Sequence, residues 1–494
     1  MKFEEYLQLA NNFKLGTLTT ESFHPLTKNL SNDSKNNLPK ALNDLKEVDH
    51  QAFKIIKNKS KEIFNISSLI SKKKKEGSRI FLCGCGATGR LSLAIETLAL
   101  QENDQNIVSF MAGGDYALIK SVESFEDKVE YGAKQLNDLG FSENDILLAI
   151  TEGGETSFVI GAALEATKIS KNQSYFLYCN PEDEIIHLDR CREVINHPKV
   201  DSLNLTVGPM ALSGSTRMQA SSVQMFVAGM LAIKDFDSEI EVNSYIDLWM
   251  KNFNQLDFVK LKKLIEIESD IYLKNQIITY TCSADLAISV LTDTTERSPT
   301  FSLAGFEKKD DTELSFCYLA VDEAQTSQQA WNSMLGREPR PLRWGEGFEQ
   351  ISLEEIYKFD ISKQAIERRK SSNLFKINYL DGSLNFEVLG EKQKFNIIEE
   401  DSLIKHLSLK LLLNTLSTLI MGRIGRYESN IMTWVKASNF KLIDRATRYT
   451  LYLLEDESSD ISYEDVLKFI YEHSKNNPSE FKPIVMKAYE FFKN

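Results

Sequence analysis

Arg79-Ile-Phe-Leu-Cys-Gly-Cys-Gly-Ala-Thr-Gly-Arg90 reads as a buried strand, a glycine turn and the first turn of a helix. Gly84, Gly86 and Gly89 let backbone N–H groups approach an anion, Thr88 adds a hydroxyl donor, and the positive end of the following helix points at the same spot. The loop alone leaves three readings open: a terminal phosphate ester, a dinucleotide, and a turn that serves only strand-to-helix packing. The dinucleotide reading asks for an acid at the end of the next strand. The run Ile107–Met111 leads into Ala112-Gly-Gly-Asp115, which offers Asp115. Thr88 and Arg90 inside the turn favour a terminal phosphate.

Strands are expected at Arg79–Gly84, Ile107–Ala112, Ile146–Thr151, Tyr175–Asn180 and Ser202–Val207, with helices such as Leu91–Gln101 and Phe158–Lys168 between them. Continuous apolar strands alternating with helices indicate a parallel sheet covered on both faces, whose ligands bind at the carboxyl ends of strands. Glu152-Gly-Gly-Glu-Thr156, after the third strand, lies at that edge. The pattern restarts with a strand at Asn275–Cys282, a helix from Ser283 and a strand at Thr312–Val321. Helices return at Asp401–Met421 and from Asn439 onward. The expected fold class is therefore α/β, with two similar domains in tandem and a helical C-terminal section. The divisions are a polar, irregular segment 1–45, a first domain 46–245, a second 246–430 and the helical section 431–494. Gly336-Arg-Glu-Pro-Arg-Pro-Leu-Arg-Trp344 reads as a stiff basic-aromatic loop, an ordinary insertion or a partner surface.

The net charge of −13 argues against non-specific nucleic-acid binding and against anionic membranes, and it requires any phosphate site to be a local basic pocket. Six scattered cysteines without paired C-x-x-C units suggest reduced thiols and a cytoplasmic location. His187, Cys191 and His197 fit no compact metal site, so neither a metal nor a cofactor is expected. Met1-Lys-Phe-Glu-Glu is acidic without an apolar core, so no signal peptide is expected. The apolar window Leu407–Met421 carries Lys410 and Asn414 and reads as a buried helix.

Several strings resemble the sugar isomerase (SIS) fold proteins that include N-acetylmuramic acid 6-phosphate etherase and the glucokinase regulatory protein. They are Thr20-Glu-Ser-Phe-His-Pro25, Gly84–Arg90, Ala112-Gly-Gly-Asp-Tyr116, Val122-Glu-Ser-Phe-Glu-Asp127, Val207–Met218 with its Ser-Gly-Ser-Thr-Arg-Met end, and Asn439–Arg445. The resemblance spans about residues 17 to 450. It implies a flavodoxin-like sheet in each domain and a sugar 6-phosphate held in the first. It also implies ligand contacts at Gly84, Gly86, Ala87, Thr88 and Gly89, at Thr151, Gly153 and Glu155 in the second loop, and at Lys441 and Arg445. The last two are four residues apart and so share one helix face. The acid/base glutamates of the etherase fall on Glu126 and, in the second repeat, on Glu296; the first-repeat counterpart of Glu296 is Leu98.

Three departures stand out. In the second repeat Tyr280-Thr-Cys-Ser-Ala-Asp-Leu-Ala287 takes the place of the glycine loop, with its glycines gone and an aspartate present. Glu155 replaces a serine or arginine of relatives, either to hydrogen-bond a sugar hydroxyl or amine or to cap the following helix. Gln219 replaces a lysine. One composite site per chain is therefore expected, with the intact loop and Glu126 from one repeat and Glu296 from the other. The expected ligand is a sugar 6-phosphate, an amino sugar, with etherase-like lyase chemistry favoured over regulation; aldose–ketose isomerisation would use similar groups. The alternative is a sensor that passes sugar-phosphate occupancy to a partner protein, such as a sugar kinase, through the C-terminal helices. A tandem repeat supplies its own pseudo-dimer, which makes a monomer sufficient.

Overall fold

The computed structural model describes residues 3–10, 15–122, 125–435, 437, 440–455, 461–476 and 483–493. Met1, Lys2, Glu123, Ser124 and Asn439, which belong to strings quoted above, lie outside the described residues. Five strands, β1 (Ile80–Gly84), β2 (Ile107–Met111), β3 (Ile146–Ile150), β4 (Ser174–Tyr178) and β5 (Val200–Asn204), form a parallel sheet in the order β2-β1-β3-β4-β5. In register, Cys83 of β1 lies between Phe110 and Ala149. β1, β3 and β4 are buried along their whole length, as strands covered on both faces must be. Ala87–Gln101 packs with Gln219–Ile233, and Val129–Asp138 packs with Ser157–Ile169, so one helix pair covers each face. The chain leaves β1 toward β2 and returns on the other side as β3. This switch of direction opens a crevice between the loops after β1 and β3.

The second sheet runs β10-β9-β8-β6-β7. β6 (Ile278–Cys282) pairs in parallel with β7 (Cys317–Val321) and with β8 (Asn373–Leu380), as β1 does with β2 and β3. The likeness stops there. β9 (Ser383–Val388) and β10 (Glu391–Asn396) continue as an antiparallel meander where the first domain has β4 and β5. Phe375 and Ile377 of β8 are buried while Lys376 and Asn378 are exposed, the alternation of a sheet covered on one face. Asp381-Gly382 closes the first hairpin, with φ of 49° and 66°.

The helix Ser402–Arg423 is long and apolar enough to cross a membrane, yet 94 % of its apolar window is buried inside the protein. Asp401 caps it, accepting from the Ile404 N–H at 2.9 Å. It packs against helices of both domains and carries its polar groups in internal hydrogen bonds, Lys410 to Asn414 among them at 2.8 Å. The N-terminal segment is less irregular than its composition suggests: Leu15, Leu18 and Leu30 are buried, and Tyr6 stacks on Phe440 of the helix Phe440–Leu454.

Candidate functional site

The loop after β1 is closed by its own side chains. A Cβ on Gly84 would lie 2.3 Å from the Thr88 carbonyl carbon, so only glycine lets the chain fold back on the strand end. Gly86 has φ +56°, and the space where its side chain would point is open. Thr88 Oγ1 accepts from Cys85 N–H and donates to Cys85 C=O, both at 2.9 Å. That hydroxyl therefore ties the turn, where the sequence suggested a donor to the ligand. Gly89 packs against Met111.

Gly86 and Ala87 line a cavity of about 160 Å³ together with Gly153, Thr156, Lys441 and Arg445. Its wall also carries Glu21, Glu126 and Glu152. Each cation already has a carboxylate. Lys441 Nζ lies 2.7 Å from Glu155 Oε1 and 3.8 Å from Glu126 Oε1. Arg445 holds Glu21 through Nε at 3.0 Å and Nη2 at 2.5 Å, and Arg448 Nη2 reaches the same carboxylate at 3.0 Å. Burial would raise Glu21, but Arg445 and Arg448 outweigh it and hold the carboxyl far below its usual range. Burial opposes charge on Lys441 too, and Glu155 and Glu126 overcome it, so the ammonium is held firmly protonated.

Glu155 does not cap the helix that follows it. Thr156, with no side-chain cap bond, occupies the cap of Ser157–Ile169. Glu155 instead bridges Lys441 and Arg190, whose Nη2 lies 3.3 Å from Oε2 and whose Nε donates to the Glu155 carbonyl at 2.8 Å. Against the effect of burial, these two cations keep it below the usual carboxylate range. Thr151 is buried and bonds Thr156 Oγ1 at 3.0 Å, inside the second loop. Among the described residues, Glu152 has no cation within ion-pair distance. Burial, only partly opposed by a backbone hydrogen bond and Lys441, pushes it up to about 8, so it is protonated at neutral pH.

A second, larger cavity of about 590 Å³ joins the first at Cys85, Gly86, Glu126 and Leu442. Glu126 stands at this junction with 36 % of its side chain exposed. The packing around it raises its pKa, with Lys441 opposing and Glu155 adding to the rise. Glu296, on the helix Ala284–Phe301, is not brought into either space. It lines a pocket of about 20 Å³ with Ala87, Arg90, Ser289 and Lys410. Its Oε2 lies 3.9 Å from Arg217 Nη1 and has no hydrogen-bond partner among the described residues. Burial raises Glu296 in spite of Arg90, Arg217 and Lys410 around it. Arg90, bonded to the carbonyls of Ala117 and Leu118 at 3.2 Å, lines both the large cavity and the small one.

The Gly336–Trp344 stretch is a strap across the first domain rather than a free surface. Arg337 bonds Asp115 at 2.6 Å and Glu96 at 2.9 Å, Arg340 Nη1 bonds Glu96 at 2.8 Å, and the Arg340 N–H donates to Asp115 at 2.7 Å. Trp344 stacks on Phe125, ring centres 5.4 Å apart, next to Glu126. Asp115, the acid that a dinucleotide ribose would need, is thus already engaged. In the second domain Ser283 bonds Asp285, which also meets Lys405 at 3.4 Å, so the glycine-free loop closes on itself.

No sequence signal singles out Glu21, Arg190 or Arg448, and Glu152 is carried only as the first residue of the Glu152–Thr156 loop. The Thr20–Pro25 string marked the neighbourhood of Glu21, but no local spacing ties it to Arg445, 424 positions away.

The glycine loop thus sits at the switch point of a parallel sheet, and a second βαβ unit follows it. Residues 62–168 match the N-terminal SIS domain of the glucokinase regulatory protein. The chain is 32 % identical over 227 residues to N-acetylmuramic acid 6-phosphate etherase of Clostridium botulinum (strain Loch Maree / Type A3), covering 45 % of this chain and 70 % of that one. It is 26 % identical over 259 residues to the same etherase of Lactobacillus johnsonii, covering 51 % of this chain and 82 % of that one. The chain belongs to the N-acetylmuramic acid 6-phosphate etherase family, and these alignments take in about half of its length. Among solved structures, it is similar to tagatose-6-phosphate ketose/aldose isomerase from Escherichia coli, with a TM-score of 0.46 and 9 % identity over 83 % of this chain and 97 % of that one.

Proposed function

We propose that the chain binds the 6-phosphate of an amino sugar in one composite site per chain and carries out etherase-like carbon–oxygen lyase chemistry on it. The observation that carries this reading is the entry of Lys441 and Arg445 into the same cavity as Gly86 and Ala87. An arriving phosphate takes Lys441 and Arg445 as partners in exchange for Glu155 and Glu21, beside the N-terminus of Ala87–Gln101. Protonated Glu152 adds a donor and spares the phosphate one negative charge. The sugar ring then lies over Glu126, at the junction of the two cavities.

Elimination of a substituent one carbon from an acidic C–H needs a base and an acid. Glu126 is positioned to exchange a proton with the ring, and its raised pKa suits that task. Glu296 supplies the second carboxyl, from the small pocket that shares Ala87 with the phosphate cavity. The test is a thermal-shift panel of hexose and hexosamine 6-phosphates, including the N-acetylmuramic acid 6-phosphate named for the relatives. Bound compounds are then followed by NMR with wild type, Glu126→Gln and Glu296→Gln. Stabilisation by at least one compound and turnover lost in both variants support the reading. No stabilisation by any of them overturns it.

One observation favours a sensor as the second reading. Exchange of Glu155 and Glu21 for a phosphate rearranges ion pairs on Phe440–Leu454, which packs against Tyr463–Asn476 and Ile484–Lys493. A ligand bound but left unchanged after long incubation selects that reading.

A further inference from the structure

The larger cavity is not accounted for by a sugar phosphate alone. The phosphate cations all lie on the side of the 160 Å³ space. From the junction at Gly86 and Glu126 the second space extends away from them to about 590 Å³, a size at which pockets enclose drug-sized ligands. Its far wall is apolar and comes from both repeats: Ile119, Val122 and Phe125 from the first, Leu303 and Phe306 from the second. Phe125, Leu303 and Phe306 are almost wholly buried, so their rings and methyls are held in place before any ligand arrives. The second-repeat part of the wall is shaped by the end of Ala284–Phe301. There Ser302 turns the chain with φ of 49° and donates to the Trp434 carbonyl. The charged groups on the lining, Lys120 and Arg90 against Glu126 and Asp127, give no excess of either sign.

We infer that the ligand is a sugar 6-phosphate carrying a bulky, uncharged, largely apolar substituent, an acyl group longer than acetyl on the sugar nitrogen, which lies against Phe125, Leu303 and Phe306. This rests on the sugar-phosphate reading of the adjoining cavity. Each methylene buried against that wall tightens binding by up to about fourfold. Lengthening acetyl to hexanoyl therefore tightens it by at least tenfold, with a ceiling near 200-fold on the same basis.

The experiment is calorimetric titration of the full chain with inorganic phosphate, glucosamine 6-phosphate and its N-acetyl, N-butanoyl and N-hexanoyl derivatives. The expected result is a Kd that falls stepwise with acyl length in wild type. In Phe306→Ser the chain-length gain is lost while glucosamine 6-phosphate binds as before. Val122→Asp, at a half-buried position, replaces that variant if it does not fold. Equal or weaker binding of the hexanoyl compound overturns the inference and leaves the phosphate site standing. Failure of phosphate and all four sugars to bind overturns the sugar-phosphate reading, and this inference with it.

Discussion

Glu155→Gln tests the electrostatics of the site most informatively, because a bound phosphate and the Glu155 carboxylate compete for one ammonium. Lys441 Nζ lies 2.7 Å from Glu155 Oε1. A phosphate that displaces Glu155 from Nζ still stands roughly 5 Å from that carboxylate, where two unit charges in bulk water repel by about 0.8 kcal/mol. For a dianion this doubles to about 1.6 kcal/mol, somewhat more than tenfold in affinity. Glu155 is almost entirely buried, so screening is weaker than in water and the tenfold figure is a lower bound. The substitution also removes the ionic partner of Lys441 and Arg190, and the ligand-free protein loses stability on the order of 3 kcal/mol. Calorimetric titration with glucosamine 6-phosphate at two salt concentrations, beside thermal melts, reads both effects. The account requires a lower melting temperature without ligand and a tighter Kd with it. A Kd that is unchanged or weaker would refute the competition between Glu155 and phosphate.

Three further outcomes are expected. Glu152 is raised to about 8 by burial, so its contribution to stability is full below the unfolded carboxylate pKa and is lost as pH rises through 8; Glu152→Gln should flatten the decline of melting temperature between pH 5 and 9, and a decline as steep as in wild type would reject the assignment. Trp344→Ala removes the ring stacked on Phe125 and should weaken glucosamine 6-phosphate binding several-fold without changing inorganic phosphate binding, with Trp344→Phe restoring it; parallel losses for both ligands would mean that the strap does not position Glu126. Arg337→Met leaves Glu96 and Asp115 buried with one cation fewer and should cost on the order of 3 kcal/mol in a denaturant titration, whereas a change under 1 kcal/mol would show that the strap adds little to domain docking.

β1 to β4 were legible because they are largely apolar runs bounded by glycine, aspartate and asparagine, while β5, Val-Asp-Ser-Leu-Asn, lies two to three residues before its expected place. β8 to β10 were not read as strands, since half-covered strands alternate apolar and charged residues and blend into the polar stretches around them. Their one strong local signal, Asp381-Gly382 between Tyr379-Leu380 and Ser383-Leu384, was available and decisive for a hairpin. At the site, Gly84, Gly86, Lys441 and Arg445 carry local signatures, a glycine spacing and a helical one. Glu21 and Arg190 act only through partners far off in sequence, and nothing in their own neighbourhoods announces it. Glu155 shows the limit most plainly. Its local sequence offers a helix cap, and the structure instead makes it an ion-pair bridge because Arg190 and Lys441, 35 and 286 positions away, converge on it.

The central claim is a single phosphate site per chain, assembled from the loop after β1 and the helix Phe440–Leu454. Titration of wild type and Lys441→Met with glucosamine 6-phosphate tests it directly. The account predicts one bound ligand per wild-type chain and at least tenfold weaker binding in the variant. Two ligands per chain, or an affinity that Lys441→Met leaves unchanged, would contradict it.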